Sequence, residues 1–204
     1  MSADVVATVA GRPLRIDEVD EREERLRATR LATALPRAGT SEGRQLRRWL
    51  TQLMVTERVV AMQADALGVV ADGAPSERDL LPDNVARMEL GSIAASVLDQ
   101  PLARALFVHV TASLVVSDAD VADYHTRNPA RFAPTAPAAG GWRRPAAGAA
   151  LADVRPAIAA HLLVAARRRA FRGWLDARCA ELVELAPGYE HPGDPRQPDN
   201  THRH

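Results

Sequence analysis

The pattern Gly-x-Ser-x-Gly occurs at residues 39–43 as GTSEG and makes Ser41 the first candidate for chemistry. In serine hydrolases and acyltransferases such a serine sits on a strained strand-to-helix turn, where a His base and an oxyanion hole activate it. Here the residues upstream, ATALPRA, read as the end of a helix and not as a buried strand. Ser41 is therefore read as the N-cap of the next helix, with Arg44 where a reciprocal Glu would complete a capping box. A hydrolase or acyltransferase built on Ser41, malonyltransferase-like in type, is the rival reading.

The C-terminal tail gathers His191, Asp194, Asp199, His202 and His204, side chains able to hold zinc or nickel. Its four prolines offer no preset geometry, and ordering it would cost about 1–2 kcal/mol per residue. These residues are candidate metal ligands only, with docking of the tail on a client and plain disorder as the other readings. Arg167, Arg168, Arg169 and Arg172 cluster on one predicted helix. Nucleic-acid binding would call for more such patches and interleaved aromatics. A solvated face, or pairing with Glu21, Glu23 and Glu24, accounts for them. His109 and His161 lie in apolar stretches and read as packed or partly exposed side chains and not as ligands, while Tyr124 and His125 read as packing residues. Cys179, the single cysteine, reads as a small buried hydrophobe and excludes an internal disulfide or a multi-Cys zinc site.

Composition narrows the choices further. The 26 basic residues are all Arg, which removes Schiff-base and P-loop lysine chemistry, and 26 acidic residues balance them. Nothing in that balance points to nucleic acid or an anionic membrane. No window approaches the roughly 18 apolar residues of a membrane span. The opening MSADVVATVAGRPLRIDEVDEREER has no basic leader or long apolar run, so the expected location is cytoplasmic. No cofactor is expected.

The elements that must position these groups are mostly helices. VVATV at 5–9 alternates and predicts a short strand, after which Gly11 and Pro13 turn the chain. Ile16, Val19, Leu26 and Leu31 give a narrow stripe on a charged helix running to Leu35. A helix from Glu42 to Leu67 carries Leu46, Trp49, Leu50, Leu53, Val60, Ala64 and Leu67 on one face, with Gly68 as its stop. Residues 72–82 read as loop with at most one helical turn. Residues 83–112 read as two helices broken near Gln100–Pro101. Leu114–Val116 is short and apolar. Ser117 then caps a helix with three aspartates near its start, ended by Pro129. Residues 133–150, APTAPAAGGWRRPAAGAA, form a low-complexity linker. A long helix from Leu151 to Ala180 follows, with Pro156 in its first turn or kinking it. Val154, Ile158, Leu162, Ala166, Ala170 and Trp174 form its stripe. ELVEL at 181–185 predicts a second strand, and Pro187 and Tyr189 anchor the start of the tail.

Three segments together resemble the SurA/PrsA-type, parvulin-linked chaperones: VVATVAGRPLRIDEVDER near the start, VSDADVADYHTRNPARF at 116–132, and LADVRPAIAAHLLVAARRRAFRGWLDARCAELVELAPGYE at 151–190. The resemblance implies an opening strand, turn and helix, a strand-to-helix segment ending in Asn-Pro-x-x-Phe, and a long closing helix with a final strand. It implies that the first and last strands pair, and two otherwise unpartnered strands require the same. In that family a prolyl-isomerase domain commonly follows the Asn-Pro-x-x-Phe segment. Here the place holds only the 133–150 bridge, which has no His or Cys, so isomerase activity is not carried over. The family also has cytosolic members, among them a factor that helps mature the nitrogenase iron protein.

The expected fold is thus mainly α. It is a discontinuous helical SurA-like domain made of 1–132 and 151–186, bridged by 133–150, followed by a Pro/His-rich tail at 187–204, with a two-stranded element joining the ends. The expected function is a chaperone-like or assembly factor without prolyl-isomerase activity. Its partners would be client protein or peptide segments, with a homodimer also open. The helices around Leu90, Ile93, Val97, Leu98, Leu106 and Phe107 lack strong polar faces and mark the expected client surface.

Overall fold

The computed structural model describes residues 4–132 and 149–190. Strand β1 (Val5–Val9) is the middle of a three-stranded antiparallel sheet. The alternation read in VVATV is present, with Val6, Ala7 and Val9 buried. β1 pairs with β3 (Val183–Leu185) in the register Ala7↔Leu185, Thr8↔Glu184, Val9↔Val183, so the two ends of the described chain close on each other. The sheet holds one strand more than expected. Arg12–Arg15 forms β2, joined to β1 by the two-residue turn Ala10–Gly11, both at positive φ. That is the turn geometry that matches strand twist. Pro13 lies within β2, which a proline tolerates on an edge strand. Leu14, between two outward residues, is fully buried.

Helix α1 (Ile16–Arg27) is shorter than its sequence stripe. The Thr29 hydroxyl donates to Leu26 O at 2.8 Å and accepts from Leu31 N at 3.2 Å, replacing the next helical turn with a side-chain-bonded one. Leu31, expected on the stripe, is 52% exposed.

The central element is α2 (Ser41–Ala66), packed against α1, β1, α5, α6 and α8. Thr40, one residue before Ser41, is its N-cap, accepting Gly43 N at 3.1 Å. At the other end Gly68 N bonds to Asp65 O and Val69 N to Ala64 O, the paired bonds that close a helix C-terminus. The buried face is broader than a stripe, because Val55, Val59, Thr51 and Thr56 join Leu50, Leu53, Val60 and Ala64 inside. The two threonine hydroxyls are satisfied by the carbonyls of Arg47 and Gln52 one turn back.

Residues 77–110 form four helices: α3 (Glu77–Leu80), α4 (Asn84–Leu90), α5 (Ser92–Val97) and α6 (Pro101–Val110). The expected break at Pro101 is present, and Gly91 at φ 90° adds another between α4 and α5. Leu114–Val116 is not a strand, and Val115 is 86% exposed. Helix α7 (Asp118–Arg127) has the full capping box, Ser117 with Asp120.

Helix α8 (Leu151–Leu182) buries Ile158, Ala165, Arg168, Phe171 and Leu175. The predicted row at every fourth residue is corrected. Such a row rotates about 40° per step and leaves a face within a few turns. The buried set instead advances by three and four. Pro156 lies inside α8, in its second turn. One hydrophobic cluster runs from Val6, Val9 and Leu14 through α2 and α4–α6 to Phe171 and Leu175. At its centre Phe107 and Phe171 meet with ring centroids 5.1 Å apart, and Trp174 stacks on Phe171 at 5.9 Å.

The acidic first helix pairs with α2 and not with the closing helix. Arg47 bridges Asp20 and Glu23, Arg22 meets Glu57 at 3.0 Å, and Arg58 meets Glu18. Glu21 lies 3.8 Å from Arg25 on its own helix. Of the two readings of the arginine cluster, pairing with Glu21, Glu23 and Glu24 is therefore corrected, while Arg169 and Arg172 are solvent-exposed and Arg168 is buried.

Candidate client-binding cleft

The six residues expected to form a client surface line the interior. Leu90, Val97, Leu98, Leu106 and Phe107 are each at most 1% exposed, and Ile93 is half-buried. The reason lies in their neighbours: helices apolar on most faces are those surrounded by other elements, here α2 and α8. That patch is a core.

Open apolar surface lies elsewhere. On α4, Ala86 and Leu90 point inward while Val85 and Met88 are 65% and 79% exposed. Beside them is a cleft of about 560 Å³ between α3–α4 and the first half of α8, within the ~300–1,000 Å³ typical of ligand sites. Pro82, Val85, Ala86, Ala160 and Val164 supply its apolar lining. Asp79, Asp83, Glu89, Arg131, His161 and Arg168 supply charge and hydrogen-bonding groups.

Each polar group has a traceable position. Ser76 and Asp79 form the capping box of α3, and Asp83 caps α4 by accepting Ala86 N at 2.8 Å. Arg168 is buried and reaches Glu89 Oε2 through Nε at 2.9 Å and Nη2 at 2.8 Å, with Nη1 on Leu80 O at 3.3 Å. This clamp ties α8 to α3 and α4. Arg131 donates to Tyr124 Oη at 2.8 Å. Burial, then the nearby Arg131 and Arg168 guanidiniums, hold the His161 imidazole below its ordinary pKa of 6.5.

The Asn-Pro-x-x-Phe segment builds the end of this cleft. Asn128 Nδ2 donates to Tyr124 O at 2.8 Å, and Pro129–Phe132 makes one tight turn. Phe132 packs on Tyr124 and His125, and Tyr124 meets His161. His125 Nε2 lies 2.9 Å from Ala149 O, and Ala149 N donates to Phe132 O at 2.8 Å. Residue 132 and residue 149 therefore meet at one point of the fold, beside the cleft. Tyr124 and His125 are half-buried packing residues there, as expected, and His161 meets Tyr124 while staying exposed in the cleft wall.

Ser41 occupies the first turn of α2 next to the capping Thr40. A 3₁₀ turn (Ala32–Ala34) and loop precede it, not a strand. The second glycine of GTSEG has a packing role: a Cβ on Gly43 would come 2.3 Å from Arg37 O. His191, Asp194, Asp199, His202 and His204 lie outside the described residues, as does residues 133–148 of the linker. Among the described residues no cluster of three His, Cys, Asp or Glu could hold a metal ion, and no helix is long and apolar enough to cross a membrane. Cys179 is half-buried against the core, and its burial raises its thiol pKa. The tail is anchored as expected at Tyr189, whose carbonyl accepts Gln52 Nε2 at 2.9 Å, while Arg48 Nε donates to Gly188 O at 3.1 Å; Pro187 is exposed.

Val85 and Met88 are apolar residues of the 83–112 stretch whose outward direction composition alone does not give. The available signal was the Asp83 cap, which fixes the helix phase, with Ala86 and Leu90 four apart.

Residues 5–42 match the model of a family of unknown function (DUF7158). No curated protein and no solved structure matches the chain. The matched segment comprises the β1–β2 hairpin, α1 and the first two residues of α2, none of which lines the cleft.

Proposed function

We propose that this chain is a chaperone-like or assembly factor that holds segments of client proteins in the α4–α8 cleft, without prolyl-isomerase turnover. The observation that carries the reading is the pairing of exposed Val85 and Met88 with a cleft whose walls are clamped by Arg168 and Glu89. Exposed apolar side chains beside fixed charges of both signs suit a surface that binds unfolded segments without strict sequence choice. The likeness of three segments to SurA/PrsA-type chaperones supports the same reading, as does the β1–β3 pairing that the likeness implies. A scaffold whose residues 132 and 149 meet at one point also accepts a short linker where a catalytic domain would sit. A cytoplasmic setting belongs to the same reading.

The test is light scattering of a chemically unfolded protein diluted into buffer with the full chain. Suppression of aggregation near equimolar ratio is expected, lost in the Val85→Asp/Met88→Asp variant and unchanged in Ser41→Ala. Hydrolysis of thioesters or esters that depends on Ser41, or acceleration of peptidyl-prolyl isomerisation, would overturn the reading.

A further inference from the structure

The sheet has two edges, and they are finished differently. On the β2 side, Pro13 brings no N–H, its carbonyl accepts Arg58 Nη1 at 2.8 Å, and the Arg15 N–H donates to Glu18 Oε1 at 2.9 Å. Another strand has nothing to pair with there. On the β3 side, the bonds Ala10 N to Leu182 O (2.7 Å) and Ala186 N to Val6 O (2.9 Å) show which residues face β1. In an antiparallel ladder these alternate, so Leu182, Glu184 and Ala186 face inward and Val183 and Leu185 outward. The Val183 N–H is taken by Cys179 O at the end of α8. The Val183 carbonyl and both peptide groups of Leu185 have no hydrogen-bond partner among the described residues, and no strand joins that side.

We propose that β3 is a docking edge for an extended peptide, which adds to it as a fourth strand and places a basic residue beside Glu184 between apolar neighbours. Main-chain pairing supplies the binding, and alternate side chains supply the choice. Glu184 is exposed on one face of β3, while Val183 and Leu185 are half-buried on the other. A second copy of this chain fits less well. Full-overlap antiparallel pairing of two β3 strands sets Glu184 against Glu184, where like charges are unfavourable, and a two-fold axis at Leu185 sets Val183 against Pro187, which has no N–H to give. The inference deepens the client-binding reading and rests on it for calling the peptide a client's segment.

Fluorescence anisotropy of two labelled heptapeptides against the full chain tests it. One alternates valine with arginine, the other valine with glutamate. The arginine peptide is expected to bind about five- to tenfold tighter, from an opposite-charge against a like-charge neighbour. Leu185→Pro removes an outward N–H but no bond to β1, the same device that closes β2, and is expected to abolish binding of both peptides. Glu184→Arg is expected to invert the preference. If Leu185→Pro does not fold, the Glu184→Arg inversion decides alone. Absence of binding to either peptide, or a preference unmoved by Glu184→Arg, overturns the proposal. Chain self-association abolished by Leu185→Pro also overturns it. Aggregation suppression is read separately: if it persists while the peptides fail to bind, the docking edge falls and the client-holding reading stands.

Discussion

The two halves of α8 face different surroundings. From Ala165 to Leu182 the helix is built into the core, with Phe171 wedged between Phe107 and Trp174 and Leu175 buried. From Leu151 to Val164 only Ile158 is buried, and Ala160, His161 and Val164 line an open cleft. One continuous helix thus serves as core at one end and as a wall of the cleft at the other. Arg168 stands at the change, tied to Glu89. The difference teaches that rigidity for the cleft comes from the far half of the same helix. The first half is held by α7, through Tyr124 on His161 and Asp118 on Arg155, and leaves apolar surface open only on its cleft side.

The sharpest break of the comparison is Phe171→Ala, which removes a fully buried ring from the core half. It should lower stability by about 3–5 kcal/mol in chemical denaturation. An effect below about 1 kcal/mol would mean that the two halves are not different in kind. Glu89→Ala comes next. It strips the carboxylate from buried Arg168 and should cost about 1.5–3 kcal/mol, toward the low end because Glu89 is partly in water. Adding Arg168→Met should recover part of the loss, since the stranded charge is then gone. Ser117→Ala deletes the cap of α7 and should cost about 1 kcal/mol. On the open side, Val85→Asp with Met88→Asp should move stability by less than about 0.5 kcal/mol while removing aggregation suppression. A large stability loss there would place these residues in the core after all.

The smallest effect is pH dependence at His161. Its folded-state pKa lies below 6.5, so the unfolded chain binds more protons in the window just beneath that value. Stability should therefore rise with pH through that window and fall on acidification. His161→Gln should flatten that part of the pH profile of the melting temperature and leave the rest unchanged.

Much of the frame was legible in the sequence because it is local chemistry. The alternation in VVATV, the apolar run of α2 ended at Gly68, the break at Pro101 and the cap at Ser117 each follow from a few neighbouring residues. The pairing of the first strand with the last was legible because isolated strands need partners, but the last strand is Val183–Leu185 and not 181–185, since Glu181 and Leu182 end α8. What failed depends on the fold as a whole. Pro13 argued against a strand until the strand proved to be an edge. The run Leu90–Phe107 looked like spare apolar surface because a sequence does not show that α2 and α8 enclose it. Val85 and Met88 carry the same kind of side chain as Leu90, and only the phase of a seven-residue helix separates them. Besides Arg27 on its own helix, Glu23 pairs with Arg47 24 residues away, and Arg168 pairs with Glu89 79 residues away; charge counts alone cannot assign such distant pairs.

The most direct test of the client-holding account is site-specific photo-crosslinking to an unfolding protein. A photoreactive side chain is placed at position 85, at position 88, and at position 31, which is exposed but not part of the cleft lining. Adducts at 85 and 88 and none at 31 are the predicted result. Equal adducts at all three positions, or adducts at 31 alone, would contradict the account.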